Sequence, residues 1–235
     1  MGYKECMSGA ENIAIAVLPG MDGSGLLLTD LVQRLALQRP VRLISYPNEP
    51  LSYDDLTQFV VERIPDRRFA ILGESFSGPI AIEVAATQPS VAGLILASSF
   101  ARHPIAKLFA PLAGMLNLRW VPTRIVEAAL LGSAGEPDLR ESLGRVLAEI
   151  PHAVVTARFR EVLRVDKRER LRAVSCPMLC LRGRFDRLVR KSRLNEITSS
   201  HPNCQVRVLD APHMLLETHA AEAAITINHF CDQLG

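Results

Sequence analysis

The chain has 235 residues, 48% of them apolar, and a formal net charge of +2, which is enough for one generous domain or a core carrying a modest insertion. So small a net charge and an aromatic content of 5% lack the electrostatic footprint and stacking platforms of a nucleic-acid binder. No apolar run reaches the roughly 18 residues of a membrane span, and the first twelve residues lack the apolar stretch of a signal peptide, so a soluble, cytoplasmic chain is expected.

In chain order, "IAIAVLPG" (13–20), "VRLISYP" (41–47), "FAILGES" (69–75), "AGLILASS" (92–99), "MLCLRGRFD" (178–186) and "CQVRVLDAPH" (204–213) read as six strands. They are continuously apolar rather than alternating, as strands covered on both faces must be, which argues for a mainly parallel sheet. Helical patterns fall between or after them at 25–38, 52–64, 77–88 and 220–234. Strand and helix in alternation predict an α/β sheet with helices on both faces. Residues 101–172 break the rhythm with helical patterns punctuated by prolines 104, 111, 122, 137 and 151. The expected organisation is a core of 1–100 and 173–235 with an inserted helical cap at 101–172. That insertion carries 13 Lys and Arg against 8 Asp and Glu, so it is basic on a mildly acidic core.

The stretch "GESFSG" (73–78) joins the third strand to a helix and puts Ser75 at the carboxyl end of a parallel strand, where such sheets carry functional groups. Small flanking residues let the chain turn sharply with the serine at the apex, its oxygen near the amino end of the next helix. The spacing departs from G-x-S-x-G, because Ser77 stands where glycine is usual and Gly78 comes one residue later. Taken alone, the stretch also fits a helix start with Ser75 as its cap.

A serine nucleophile needs a base oriented by a carboxylate. Asp186 follows the fifth strand and His213 the sixth, so Ser, Asp and His occur in that order at three strand ends. Asp210 competes for the acid role, but only three residues before His213 it is better placed to shape the turn. The oxyanion donors are expected to be the backbone N–H of Phe76, next to the serine, and that of Met21 in the loop "LPGMDGSG". That loop reads G-x-x-G-x-G, not the dinucleotide fingerprint G-x-G-x-x-G. His103, His152, His201, His219, His229 and the cysteines lack metal-ligand spacing, so neither metal nor cofactor is expected. The odd number of cysteines, with Cys176 and Cys180 inside an apparent strand, suggests reduced and mostly buried thiols.

With "LPGMDGSG", "GESFSG", "RGRFD" and "DAPH" in this order over nearly its whole length, the chain resembles the α/β-hydrolase superfamily, and in size and cap placement its small capped carboxylesterases. The resemblance implies a sheet that begins at the family's third strand, a cap inserted after the strand ending at Ser98, and hydrolysis of carboxylic esters through an acyl-enzyme on Ser75. Asp22 is unusual so near a forming anion and is expected to point away as a cap. An acyl-carrier-protein or CoA thioester or ester hydrolase, an acyltransferase and a non-catalytic ligand binder are the alternatives on the same fold. Apolar residues of "IAKLFAPLAGMLNL" and "RIVEAALL" are expected to pack the cap on the core and to line a cleft for a small-molecule ester. The basic stretch from Arg158 through Arg160, Arg164, Lys167, Arg168 and Arg170 to Arg172 reads as a solvated helix face with ion pairing to Glu161, Asp166 and Glu169, or as a docking surface for an anionic acyl carrier.

Overall fold

The computed structural model describes residues 12–104 and 122–234; the amino terminus with Cys6, and the stretch "IAKLFAPLAGMLNL", lie outside them. Six strands pair in parallel: β1 (Ala14–Leu18), β2 (Val41–Leu43), β3 (Phe69–Glu74), β4 (Val91–Ala97), β5 (Met178–Gly183) and β6 (Gln205–Leu209), in the order β2-β1-β3-β4-β5-β6. β1, β3 and β4 are buried along their whole length, as continuous apolar runs covered on both faces require. The two edge strands are the least buried. β2 pairs over three residues only, and the rest of its apolar run continues as loop.

The side chains of successive strand residues point to opposite faces, and two separate cores result. On one face Ala16, Leu18, Ile71, Leu94 and Cys180 meet α2 (Tyr53–Val61), α3 (Gly78–Thr87) and α8 (Lys191–Ser200); on the other Ile15, Val17, Leu72, Ile95 and Leu181 meet α1 (Thr29–Ala36) and α9 (Ala220–Asp232). The start of α2 carries a complete capping box, with Ser52 and Asp55 each bonding the other's backbone N–H. The four described cysteines are free thiols, two buried and two half-buried.

Between β4 and β5 the described chain forms α4 (Thr123–Leu130), α5 (Pro137–Glu149), α6 (His152–Arg164) and α7 (Arg168–Ala173). It leaves and returns through one narrow neck, where Arg102 pairs with Asp166 in an isolated antiparallel bridge and Lys167 N–H donates to Ala101 O at 2.7 Å. Leu131 and Leu143 pack on Met214, next to His213, and Met214 N–H donates to Leu130 O at 3.0 Å. The inserted helices therefore touch the loop after β6. No described helix is long and apolar enough to cross a membrane.

Candidate active site

Ser75, Asp186 and His213 come together at the carboxyl ends of β3, β5 and β6. Ser75 Oγ lies 2.9 Å from His213 Nε2, and His213 Nδ1 lies 3.0 Å from Asp186 Oδ2. The Asp186 and His213 side chains are almost wholly buried. Asp186 Oδ1 also accepts the N–H groups of Leu188 and Val189, each at 2.9 Å. Burial works against the charged form of Asp186, but the bond to His213 and these two amides outweigh it and hold the carboxyl below its usual range. Asp210, the competing acid, is exposed and pairs with Arg184 at 2.6 Å.

Ser75 has φ 44°, a left-handed conformation that costs an ordinary residue about 1 to 3 kcal/mol and is kept only where its surroundings over-determine it. The packing explains the small neighbours. A Cβ on Gly73 would stand 2.8 Å from Ala81 Cβ and Ser77 O, and one on Gly78 would overlap the Ser99 hydroxyl. Ser77, in the place where glycine is usual, is completely buried, donates its hydroxyl proton to Pro19 O and receives the Tyr46 hydroxyl at 2.5 Å. It bonds the turn at Ser75 directly to the loop after β1. Ser rather than Gly thus supplies a polar link, and smallness alone does not describe the position.

The trans peptide sends N–H and C=O in opposite directions, so a bond that holds the carbonyl also aims the amide. Ser99 Oγ donates to Ser75 O at 2.6 Å and so aims the Phe76 N–H, which sits in the first turn of a helix and has no intrahelical acceptor. Gly23 N–H donates to Gly20 O at 3.1 Å and so aims the Met21 N–H. Phe76 is further held by Tyr53, which stacks on its ring at 4.8 Å and donates its hydroxyl to Phe76 O at 2.9 Å. Asp22 is turned back on its own loop, Oδ2 accepting Ser24 N–H at 2.9 Å, Ser24 Oγ at 2.6 Å and Gly25 N–H at 3.3 Å.

Sequence reasoning passed over three groups here. Ser99 is one. Glu74 and Glu217 are the others, two buried carboxyls that hydrogen-bond to each other beside Gly20. Burial pushes both up, Glu74 to about 7. Glu217 Oε2 has no donor among the described residues, so a proton on Glu217 that is donated to Glu74 satisfies both.

The basic stretch keeps the expected solvated face at Arg160, Arg164, Arg170 and Arg172, which are exposed, and departs from it at Arg158. Arg158 is fully buried. Lys167 pairs with Glu83 at 2.9 Å and Asp54 at 3.3 Å, Arg170 with Glu83 at 3.0 Å, and Arg168 with Asp166 at 2.5 Å and Glu196 at 3.6 Å. The pairing runs largely from the insertion to the core, and Glu161 accepts the Tyr53 N–H instead of an arginine on its own helix. Arg160, Arg164 and Arg172 have no ion-pair partner among the described residues.

No protein-family model matches the chain. Among curated proteins it is 26% identical to a pimeloyl-[acyl-carrier protein] methyl ester esterase of Xanthomonas campestris pv. campestris, over 92% of this chain and 94% of that protein. Among solved structures it superposes on the enol-lactonase of Burkholderia xenovorans LB400 with a TM-score of 0.81 at 15% identity, covering 94% of this chain and 91% of the other. The esterase of Exiguobacterium antarcticum gives 0.81 at 14% identity over 94% and 92%. With its parallel six-stranded sheet, flanking helices and strand-end serine turn, the chain has the α/β-hydrolase fold.

Proposed function

We propose that the chain is a serine carboxylic-ester hydrolase with Ser75, His213 and Asp186 as its triad. The observation that carries this reading is the continuous hydrogen-bonded line from Ser75 Oγ through both ring nitrogens of His213 to a carboxylate that stays ionised. His213 Nε2 takes the Ser75 proton as Oγ adds to the ester carbonyl. Asp186 holds the ring in the tautomer that leaves Nε2 free to accept, and it stabilises the imidazolium. The tetrahedral oxyanion lies between the N–H groups of Phe76 and Met21, each such donor being worth about 2.7 to 4 kcal/mol in the transition state. His213 then protonates the departing alkoxide. Water, deprotonated by the same ring, adds to the acyl carbonyl; the bond to Ser75 Oγ then breaks, the acid leaves, and the imidazolium returns the proton to Ser75 Oγ. In this reading residues 101–172 act as a cap over Ser75.

The similarity to an esterase named for a carrier-linked methyl ester, together with Arg160, Arg164 and Arg172 left without ion pairs, supports a second reading of the substrate as an ester borne on an acidic acyl carrier. A carrier-linked methyl ester and the same ester freed from its carrier distinguish the two. Selective turnover of the former that weakens with salt supports the carrier.

The test of the main reading is covalent. A fluorophosphonate probe should label Ser75, and p-nitrophenyl esters of increasing chain length should be turned over with a burst. Ser75→Ala should lose roughly 10⁶ in kcat, as the loss of a triad nucleophile does. Retention of more than about a thousandth of the activity would sink the assignment.

A further inference from the structure

The structure assigns Arg158, on α6 of the insertion, as a positioning residue whose guanidinium clamps the Met21–Gly23 turn, so that the seating of the inserted helices and the assembly of the oxyanion donor on that turn are one event. This rests on the reading of Met21 as a donor.

Arg158 Nη1 donates to Met21 O at 2.9 Å and to Asp22 O at 2.8 Å, and Nη2 donates to Pro47 O at 2.9 Å, in the loop after β2. One rigid fork therefore holds two consecutive carbonyls of the turn and ties them to a neighbouring loop. The Gly20 carbonyl that aims Met21 N–H is held by Gly23, the next residue of the same turn. Gly23 has φ 74°, and a Cβ on it would stand 2.5 Å from Arg158 Nη1, so the guanidinium lies flat against this backbone with no room for a side chain.

Plain packing does not explain the group. A guanidinium with no solvent exposure costs several kcal/mol to desolvate, and an apolar side chain of similar reach fills the same path without that cost. Asp22 bonds Ser24 and Gly25 rather than Arg158, so the cation is balanced at a distance and by carbonyl dipoles. What a guanidinium adds is direction, since its donors are fixed in a plane. Three residues along the same helix face, Glu161 accepts the Tyr53 N–H, and the Tyr53 hydroxyl holds Phe76 O. The one helix α6 therefore holds the peptides that follow both proposed donors, Met21 O and Asp22 O through Arg158 itself and Phe76 O through Tyr53.

Ester hydrolysis and fluorophosphonate labelling of the unaltered protein test the underlying reading, and their absence would overturn that reading rather than the clamp. The clamp is tested by Arg158→Met, which keeps the length and removes the donors, and by Arg158→Lys, which keeps the charge and loses the planar fork. Each is read by kcat, KM, melting temperature, and affinity for a trifluoromethyl ketone, whose hemiketal with Ser75 Oγ places an oxyanion between the same donors. We expect Arg158→Met to lower kcat about 10- to 100-fold, as loss of one oxyanion donor's alignment does. Ketone affinity should fall by a matching factor while KM moves less than about threefold. Arg158→Lys should fall between, and it alone carries the test if Arg158→Met does not fold. A purely structural role would lower the melting temperature and the yield of active protein while leaving kcat per labelled Ser75 and ketone affinity unchanged, and that result would overturn the clamp.

Discussion

Asp186→Asn isolates the contribution of the acid. Asp186 Oδ1 accepts two backbone N–H groups and Oδ2 faces His213 Nδ1. An asparagine can satisfy the Leu188 and Val189 amides only with its carbonyl oxygen, which turns its NH₂ toward His213. The ring must then accept at Nδ1 and carry its proton on Nε2, aimed at Ser75 Oγ. A histidine in that tautomer cannot take the serine proton. The expected loss in kcat is about 10⁴, or about 5.4 kcal/mol in the barrier. Because the isosteric side chain keeps both amide bonds, the melting temperature should change far less than such an energy would imply. The assay is hydrolysis of a p-nitrophenyl ester normalised to folded protein, with Asp210→Asn beside it. Asp210 is exposed and its pair with Arg184 is worth about 1 kcal/mol or less, so that variant should keep its kcat within about threefold. A loss below about tenfold at Asp186, or the larger loss at Asp210, would refute the tautomer argument and the choice of acid.

The remaining predictions concern groups around the donors. Ser99→Ala leaves the Ser75 carbonyl with the Gly78 N–H alone and should lower kcat about tenfold with KM unchanged, because a misaimed Phe76 N–H is felt only as charge develops; an unchanged kcat would dissociate Ser99 from the site. The Glu74–Glu217 pair should make the fold less stable as pH rises. Both pKa values are raised, so the native state holds protons that the unfolded chain has already released above about pH 4.5, and stability is lost as pH climbs through the folded values. Glu217→Gln donates to Glu74 without needing that proton and should flatten the fall in melting temperature between about pH 5 and pH 8. A slope equal to the parent's would show that the pair does not titrate in that range.

The strands and the three side chains that meet at their ends were legible for a common reason. In a parallel sheet covered on both faces each strand is an apolar run, and function sits where the run ends, so Ser75, Asp186 and His213 could be found by reading strand ends in order. The lengths of the outer strands were less legible. "VRLISYP" reads as apolar as its neighbours, but at the edge only Val41–Leu43 finds a partner strand. Arg158 was misread for a physical reason too. Its neighbours Arg160 and Arg164, alternating with Glu161, made it look like one more member of a solvated, ion-paired face, whereas Val154, Arg158 and Val162 fall four residues apart and form the buried stripe of α6. An arginine at an apolar stripe position is the signal that could have found it. Glu74, between a buried strand and the serine, carried a similar signal.

The electrostatics of the loop after β1 follow from these buried groups together. Asp22, Glu74 and Glu217 all lie near the place proposed for the oxyanion, and three ionised carboxylates there would oppose the charge that the reaction develops. The fold reduces the problem in two ways. Burial of Glu74 against Glu217 favours forms that retain a proton, and the shared hydrogen bond satisfies an oxygen that no other group among the described residues reaches. Asp22 spends its lone pairs on Ser24 and Gly25, while the Arg158 guanidinium sits on its backbone carbonyl. A positive group held by the insertion thus offsets a negative one held by the core. If α6 is displaced, the loop loses its cation at the same moment as it loses the bonds that shape it, so on the proposed reading the alignment and the charge of the oxyanion site are gained or lost together.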